Sequence, residues 1–140
     1  MLFLCTGNSA RSQMAEAILR KFAGENLEIY SAGLEPKEIN PLTLRVLNEA
    51  GINTDGQYAK PISMFIGKMH FSYLITVCSN AEERCPFFPG VGTRMHWPLD
   101  DPAAFNGSDE ERIAKFREIR DQIQVRIIDW LKELGISYTK

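Results

Sequence analysis

A short segment near the start of the chain combines a cysteine, an arginine and a serine at fixed spacing. Cys5 is followed six residues later by Arg11 and then by Ser12. A cysteine thiolate is a strong nucleophile, and a guanidinium can bind two oxygens of a tetrahedral anion at once. This combination indicates nucleophilic attack on an oxyanion, with Ser12 placed to form a hydrogen bond with the thiolate.

The residues between Cys5 and Arg11 are small, so their backbone N–H groups can face a bound anion. Such a loop, together with the positive end of the helix that follows it, forms a cradle for an oxyanion. Gly7 is expected to permit a close approach or a positive φ, and Asn8 and Ser9 to hold the loop in shape. The predicted oxyanion-binding residues are Thr6, Gly7, Asn8, Ser9, Ala10 and Arg11. Arg11 and the loop amides are expected to lower the pKa of Cys5.

Two further cysteines, Cys78 and Cys85, lie seven residues apart. If residues 79–84 are helical, the two cysteines are separated by about 10 Å along the helix axis. A disulfide requires Cα atoms within about 7 Å, so a bond between them requires this segment to rearrange. The alternative interpretation is that Cys5, Cys78 and Cys85 are unreactive buried thiols and that Arg11 lies on a helix surface.

Strands and helices alternate around these cysteines. The predicted strands are Met1–Leu4, Leu27–Ser31, Tyr73–Val77 and Met95–Leu99, and the predicted helices are Arg11–Phe22, Pro41 to a stop at Gly51, and a long helix after a capping box at Ser108. This order indicates an α/β fold with about four parallel strands and helices on both faces. We expect a single domain over residues 1–140, with its site in the turn after the first strand.

The composition of the chain excludes several classes of protein. Its 140 residues are 44% hydrophobic and 24% charged, which is typical of one globular domain and excludes disordered and fibrous proteins. The net charge of −2 argues against a nucleic-acid partner. Apolar runs are too short for a membrane span or a signal peptide, which indicates a cytosolic protein. The cytosol keeps thiols reduced, and three is an odd number of cysteines, so both observations argue against a structural disulfide framework. We therefore expect a cytoplasmic monomer.

The motif residues resemble those of the low-molecular-weight protein tyrosine phosphatase fold and, within it, of the thioredoxin-coupled arsenate reductases. The resemblance is carried by residues 3–16, 30–33, 78–85, 96–97 and 100–103, and it extends over nearly the whole chain. It implies an arsenate reductase that needs no cofactor and is regenerated by thioredoxin.

The resemblance also implies roles for individual residues. Cys5 attacks arsenate, and Asp101 is the general acid, although the residues alone favour a loop-capping carboxylate at Asp101. Cys78 then attacks Cys5 and releases arsenite, and Cys85 attacks Cys78 to leave a Cys78–Cys85 disulfide. The implied catalytic residues are Cys5, Arg11, Ser12, Cys78, Cys85 and Asp101.

Two positions depart from the pattern of the family. Ala10 stands where members often carry a second loop cysteine. Some members bind a potassium ion, and Asn8, Glu16 and Ser31 resemble its ligands, but Lys60 falls where an aspartate ligand is expected. The Lys60 ammonium can replace the cation, so we predict that the protein needs no metal.

Two other functions remain open. The first is a phosphatase that hydrolyses phosphate esters through a phosphocysteine on Cys5 and does not need Cys78 or Cys85. Phosphatases of this fold usually carry a proline and aromatic residues where Gln13 and Ala103 stand, which favours a small inorganic anion as substrate. The second is an oxyanion-binding module without turnover, against which the intact set of catalytic residues argues.

Overall fold

The computed structural model describes residues 1–85 and 89–139, and four strands within them form one parallel sheet. The strands are β1 (Leu2–Cys5), β2 (Tyr30–Gly33), β3 (Phe71–Thr76) and β4 (Val91–His96). Their order is β2-β1-β3-β4, and each of the three pairings is parallel. The predicted parallel α/β sheet is therefore confirmed.

Four helices connect and flank the strands. They are α1 (Arg11–Ala23), α2 (Pro41–Glu49), α3 (Ser79–Arg84) and α4 (Asp109–Leu134), with single 3-10 turns at Ile62–Met64 and Pro102–Ala104. Asn40 caps α2, and the capping box of Ser108 and Glu111 begins α4, as the sequence predicts. In the described part of the chain, no helix combines the length and the apolar character that a membrane span requires.

The core lies between the sheet and its helices. The apolar stripe of α4 is buried at Ile113, Phe116, Ile119, Ile123, Ile127 and Leu131. α4 contacts α1 and α2, α1 contacts β1 and β2, and α3 contacts β1 and β3. Successive side chains of β1 point to opposite faces of the sheet, yet all four are buried. Both faces of the sheet are therefore covered at β1, as predicted.

All four strands differ in position from their predictions, β1 by a single residue at each end. β2 is displaced from Leu27–Ser31 toward Ala32 and Gly33, which pair with β1 although they carry little apolar surface. β3 begins at Phe71, two residues before its predicted start. β4 covers Val91–His96 where Met95–Leu99 is predicted, because this edge strand is partly or fully exposed and lacks a buried apolar run.

The order of the strands brings the ends of β1 and β3 side by side. β1 pairs with β2 on one side and with β3 on the other, and Leu4 is in register with Thr76. In open α/β sheets, the crevice at such a switch point, at the carboxyl ends of the strands, is where ligands bind. Cys5 is the last residue of β1 and Cys78 follows the end of β3, so both lie at this crevice.

Candidate active site

Cys5 ends β1, and its thiol lies at the bottom of the loop that leads into α1. The residue is 2% exposed. Its Sγ lies 2.8 Å from Ser12 Oγ and accepts a hydrogen bond from the backbone N–H of Asn8 at 3.1 Å. The predicted contact between Ser12 and the nucleophile is therefore confirmed.

The environment of Cys5 acts on its thiol in two directions. Burial raises the pKa of Cys5, because the apolar surroundings disfavour the charged thiolate. The hydrogen bonds from Ser12 and Asn8 and the charge of Arg11 lower this pKa, but they do not offset burial. The expectation that the loop lowers the pKa of Cys5 below its ordinary value is therefore wrong, because the motif does not reveal how deeply the strand end is buried.

Alkylation of Cys5 by iodoacetamide is consequently expected to accelerate from pH 7 through pH 9. Below the pKa of a thiol, each pH unit raises the thiolate fraction about tenfold.

Ser12→Ala removes a hydrogen bond that favours the thiolate, so Cys5 alkylation at pH 8 should slow by about three- to tenfold. Peptide-resolved mass spectrometry measures both effects, and Ser72→Ala on β3 serves as the control. A rate that is already constant at pH 7 would contradict the raised pKa.

Asn8 holds the loop in shape from within the protein. It is fully buried and has a φ of 50°, a left-handed conformation that asparagine tolerates better than most residues. Its Nδ2 donates to Ser12 Oγ at 2.7 Å and to Ser31 Oγ at 3.0 Å. Its Oδ1 accepts from Gln13 Nε2 and from the Lys60 backbone N–H, both at 2.9 Å. The predicted shaping role of Asn8 is confirmed.

The glycine on which the loop depends is Gly33 at the end of β2. A Cβ at this position would lie 2.6 Å from the Thr6 carbonyl oxygen and 2.9 Å from the Asn8 nitrogen. A Cβ at Gly7 would meet Ser9 Oγ at 3.4 Å, and the positive φ of this loop belongs to Asn8. The expectation of a positive φ at Gly7 is therefore wrong. For Gly33, the available signal in the sequence was a small residue at a strand end.

A cavity of about 580 Å³ opens above Cys5. Five of the six predicted oxyanion-binding residues line it, namely Thr6, Gly7, Ser9, Ala10 and Arg11. The sixth, Asn8, is buried beneath the loop. Lys37 and Asn80 also line the cavity, and no local motif identifies them because they come from segments far from the loop in sequence.

α1 begins at this cavity without a side-chain cap. Its N-cap residue is Ala10, which makes no capping hydrogen bond. The first backbone N–H groups of a helix have no partners within the helix and carry a partial positive charge. The start of α1 can therefore receive an oxyanion.

Arg11 links the loop to the segment that carries Asp101. Its Nη1 donates to the Leu99 carbonyl oxygen at 3.1 Å, and its Nη2 lies 3.7 Å from Asp101 Oδ2. The Asp101 side chain is 43% exposed and lines the cavity. Its Oδ1 accepts from the Ala103 backbone N–H at 3.0 Å, which caps the 3-10 turn. Asp101 is thus a loop cap, and it also faces the space where a substrate would bind.

The other two cysteines lie at the two ends of α3. Cys78 is buried, and its Sγ lies 3.4 Å from Thr6 Oγ1 and accepts from the Ala81 backbone N–H at 3.3 Å. Cys85 is the C-cap of the helix, and burial raises the pKa of its thiol. All three cysteines are reduced thiols. The segment between them is helical, which meets the condition set in the sequence analysis for a separation of about 10 Å, and Ala81 is its one buried residue.

Lys60 belongs to a buried polar chain behind the loop. It is 5% exposed, and its Nζ lies 3.5 Å from Glu16 Oε1 and donates to the Tyr58 carbonyl oxygen at 2.7 Å. Ser31 Oγ donates to Glu16 at 2.8 Å. Burial lowers the pKa of Lys60, and the charge of Glu16 opposes this shift. Among residues 1–85 and 89–139, no group of three or more His, Cys, Asp or Glu side chains is placed to hold a metal ion.

Comparisons with known proteins agree on one family. The model of the low molecular weight phosphotyrosine protein phosphatase family matches residues 1–139. An arsenate reductase of Halalkalibacterium halodurans is 42% identical over 125 residues, 89% of each chain. An arsenate reductase of Bacillus licheniformis is 44% identical over 126 residues, again 89% of each chain.

Solved structures extend this similarity to the fold. A structure described as an arsenate reductase in the phosphate binding state has a TM-score of 0.78 at 27% identity, and the match covers 94% of this chain and 95% of that chain. A Corynebacterium glutamicum thioredoxin-dependent arsenate reductase has a TM-score of 0.71 at 34% identity. That match covers 96% of this chain and 60% of the other.

Proposed function

We propose that this chain, which belongs to the low molecular weight phosphotyrosine protein phosphatase family, is an enzyme that reduces arsenate to arsenite. The placement of the three thiols carries this proposal. Cys5 lies beneath the oxyanion loop, Cys78 follows the neighbouring strand, and Cys85 ends the helix that begins beside Cys78. Hydrolysis of a phosphate ester needs only the Cys5 thiol. Reduction of arsenate by a thiol relay uses all three, one to bind arsenic and two to form the final disulfide.

The first step joins the substrate to Cys5. Arsenate occupies the loop, where the backbone N–H groups and Arg11 balance its negative charge. The Cys5 thiolate attacks arsenic and forms a sulfur–arsenic bond. The oxygen that leaves takes a proton from Asp101 and departs as water, which suits the position of Asp101 on the wall of the same cavity.

The second and third steps transfer two electrons and pass the disulfide outward. The Cys78 thiolate attacks Cys5 Sγ, and the electron pair of the sulfur–arsenic bond stays on arsenic, which leaves as arsenite. The Cys85 thiolate then attacks Cys78 Sγ and expels Cys5 as a thiolate. α3 must unwind for this bond, because Cys78 and Cys85, which flank the helix, lie about 10 Å apart along its axis at 1.5 Å per residue. Thioredoxin, in the cytoplasm, then reduces the Cys78–Cys85 disulfide.

A single turnover of the reduced protein with arsenate tests this proposal. Thiols are counted before and after the reaction, and disulfides are located by peptide mass spectrometry. The expected result is one arsenite released, two thiols lost, and a bond between Cys78 and Cys85. If all three thiols survive while the protein hydrolyses a phosphate ester, the proposal fails and the chain is a phosphatase.

Phosphate-ester hydrolysis is a second candidate activity, and the position of Cys5, Arg11 and Asp101 around one cavity favours it. Cys5, Arg11 and Asp101 would serve hydrolysis in the same roles. We expect such an activity to be weak, because Ala103 and Gln13 stand where the phosphatases of this fold usually carry substrate-gripping residues and a proline.

Lys60→Met is expected to slow arsenate reduction about tenfold. The substitution breaks a buried ion pair behind the loop and leaves the negative charge of Glu16 only partly balanced. Arg20, which lies 3.0 Å from Glu16 Oε2, is half-exposed and remains as its partner. Potassium ions should leave the rate of the unmodified protein unchanged. Steady-state kinetics with and without potassium, at constant ionic strength, measure both effects, and Lys68→Met is the control. Stimulation of the unmodified protein by potassium would refute the role assigned to the Lys60 ammonium.

A further inference from the structure

We propose that Asn80 is a positioning residue for the attack of Cys78 on Cys5, because it orients the hydroxyl group of Thr6 toward Cys78. This inference rests on the proposed function, since it concerns the second step of the thiol relay. It assigns a role to a side chain that lies between the two relay cysteines in sequence and is itself not a thiol.

Two successive hydrogen-bond contacts connect α3 with the oxyanion loop and then with Cys78 at the start of α3. Asn80 is the second residue of α3, and its Nδ2 donates to Thr6 Oγ1 at 2.9 Å. Thr6 directly follows Cys5, and its Oγ1 lies 3.4 Å from Cys78 Sγ. The amide of Asn80 therefore reaches Cys78 through a hydroxyl that belongs to the loop of the nucleophile.

The chemistry of the groups fixes the direction of the first hydrogen bond, because an amide nitrogen only donates. Thr6 Oγ1 accepts from Asn80 and keeps its own single proton. It can donate this proton to Cys78 Sγ, and it is the only possible donor of the two once Cys78 has lost its own proton. The Ala81 backbone N–H also donates to this sulfur, at 3.3 Å. Two donors directed at one sulfur hold it in a defined position and orientation for its attack on Cys5.

A simpler role for Asn80 would be to attach α3 to the loop without affecting the sulfur. The two roles predict different results when Asn80 is replaced by aspartate, which has the same shape but can only accept hydrogen bonds. In Asn80→Asp, the carboxylate accepts the Thr6 proton and draws it away from Cys78. In Asn80→Ala, the Thr6 hydroxyl keeps its proton and loses the group that orients it. An attachment role predicts looser packing of α3 and no specific change at Cys78.

Alkylation of Cys78 in a reduced Cys5→Ser background distinguishes the two roles without arsenate. We expect Asn80→Asp to slow the alkylation of Cys78 by iodoacetamide about tenfold at pH 7, and Asn80→Ala to slow it about threefold. Thr6→Val should match Asn80→Ala, and the double variant should be no slower than Thr6→Val alone. Thr6→Ser should preserve the original rate. Glu83→Gln, at an exposed position of α3, is the matched control.

Cys85 in the same samples reports on the packing of α3. Its alkylation rate should stay constant in every variant. If Asn80→Ala and Thr6→Val act additively, or if Cys85 becomes faster in step with the change at Cys78, Asn80 only supports the helix and the inference is overturned. Arsenate reduction by the unmodified protein is measured separately, so a failure of the proposed function is visible independently of the hydrogen-bond test.

Discussion

Replacing Cys5 with serine is expected to lower kcat/KM for arsenate by about 10⁴-fold or more, the scale seen when a catalytic nucleophile is removed. The serine hydroxyl is a poor nucleophile without a general base, and the partners of Cys5 Sγ are the Ser12 hydroxyl and the Asn8 N–H. The rate is measured by coupling arsenate reduction to thioredoxin and its reductase. Isothermal titration with phosphate serves as the control, since the loop amides and Arg11 should still bind the anion. Substantial turnover by Cys5→Ser would remove Cys5 from the mechanism.

Replacing either of the other two cysteines with serine should stop the reaction cycle, each at a different step. Cys78→Ser is expected to stop after the adduct on Cys5 forms, without release of arsenite. Cys85→Ser should release one arsenite and retain a Cys5–Cys78 disulfide, because no thiolate at position 85 is present to attack Cys78 Sγ. Peptide mass spectrometry of single-turnover samples separates these products. Multiple turnovers by either variant with thioredoxin would disagree with the relay.

Arg11→Lys is expected to reduce kcat for arsenate by about 10²- to 10³-fold, comparable to the loss of an oxyanion-stabilising group. Lysine keeps the charge but cannot bind two oxygens in the fixed geometry of a guanidinium. It also cannot keep both the bond to the Leu99 carbonyl and the contact with Asp101 that Arg11 makes. Arg45→Lys on the exposed side of α2 provides the matched control. An Arg11→Lys enzyme within a few-fold of the original rate would show that charge alone is sufficient.

The helices and strands that the sequence predicts well are those marked by a pattern of a few neighbouring residues. The Ser108–Glu111 capping box and the Asn40–Pro41 start identify α4 and α2 from local chemistry. β4 has no such signal, because an exposed edge strand does not need apolar side chains. β2 ends in Ala32 and Gly33, whose pairing with β1 depends on the tertiary fold and not on apolar character.

The same distinction applies to the site. Cys5, Arg11 and Ser12 lie in one motif, so their proximity is predictable from their spacing. The contact of Asn80 with Thr6 and the close approach of Gly33 to the loop join distant segments, and no local pattern encodes them. The raised pKa of Cys5 likewise depends on the burial of a complete strand end, which follows from the packing around it.

Because the start of α1 has no side-chain cap, an anion bound there would become a structural part of the folded protein. An oxyanion in the loop supplies the partner that Ala10 does not provide, so it binds the folded chain in preference to the unfolded chain. At a free concentration one hundred times its dissociation constant, such a ligand stabilises a fold by about 2.7 kcal/mol. Phosphate, which has the same tetrahedral shape as arsenate, would then protect the enzyme against heat and proteolysis while competing with its substrate. Thermal resistance and inhibition would therefore rise together along one phosphate titration.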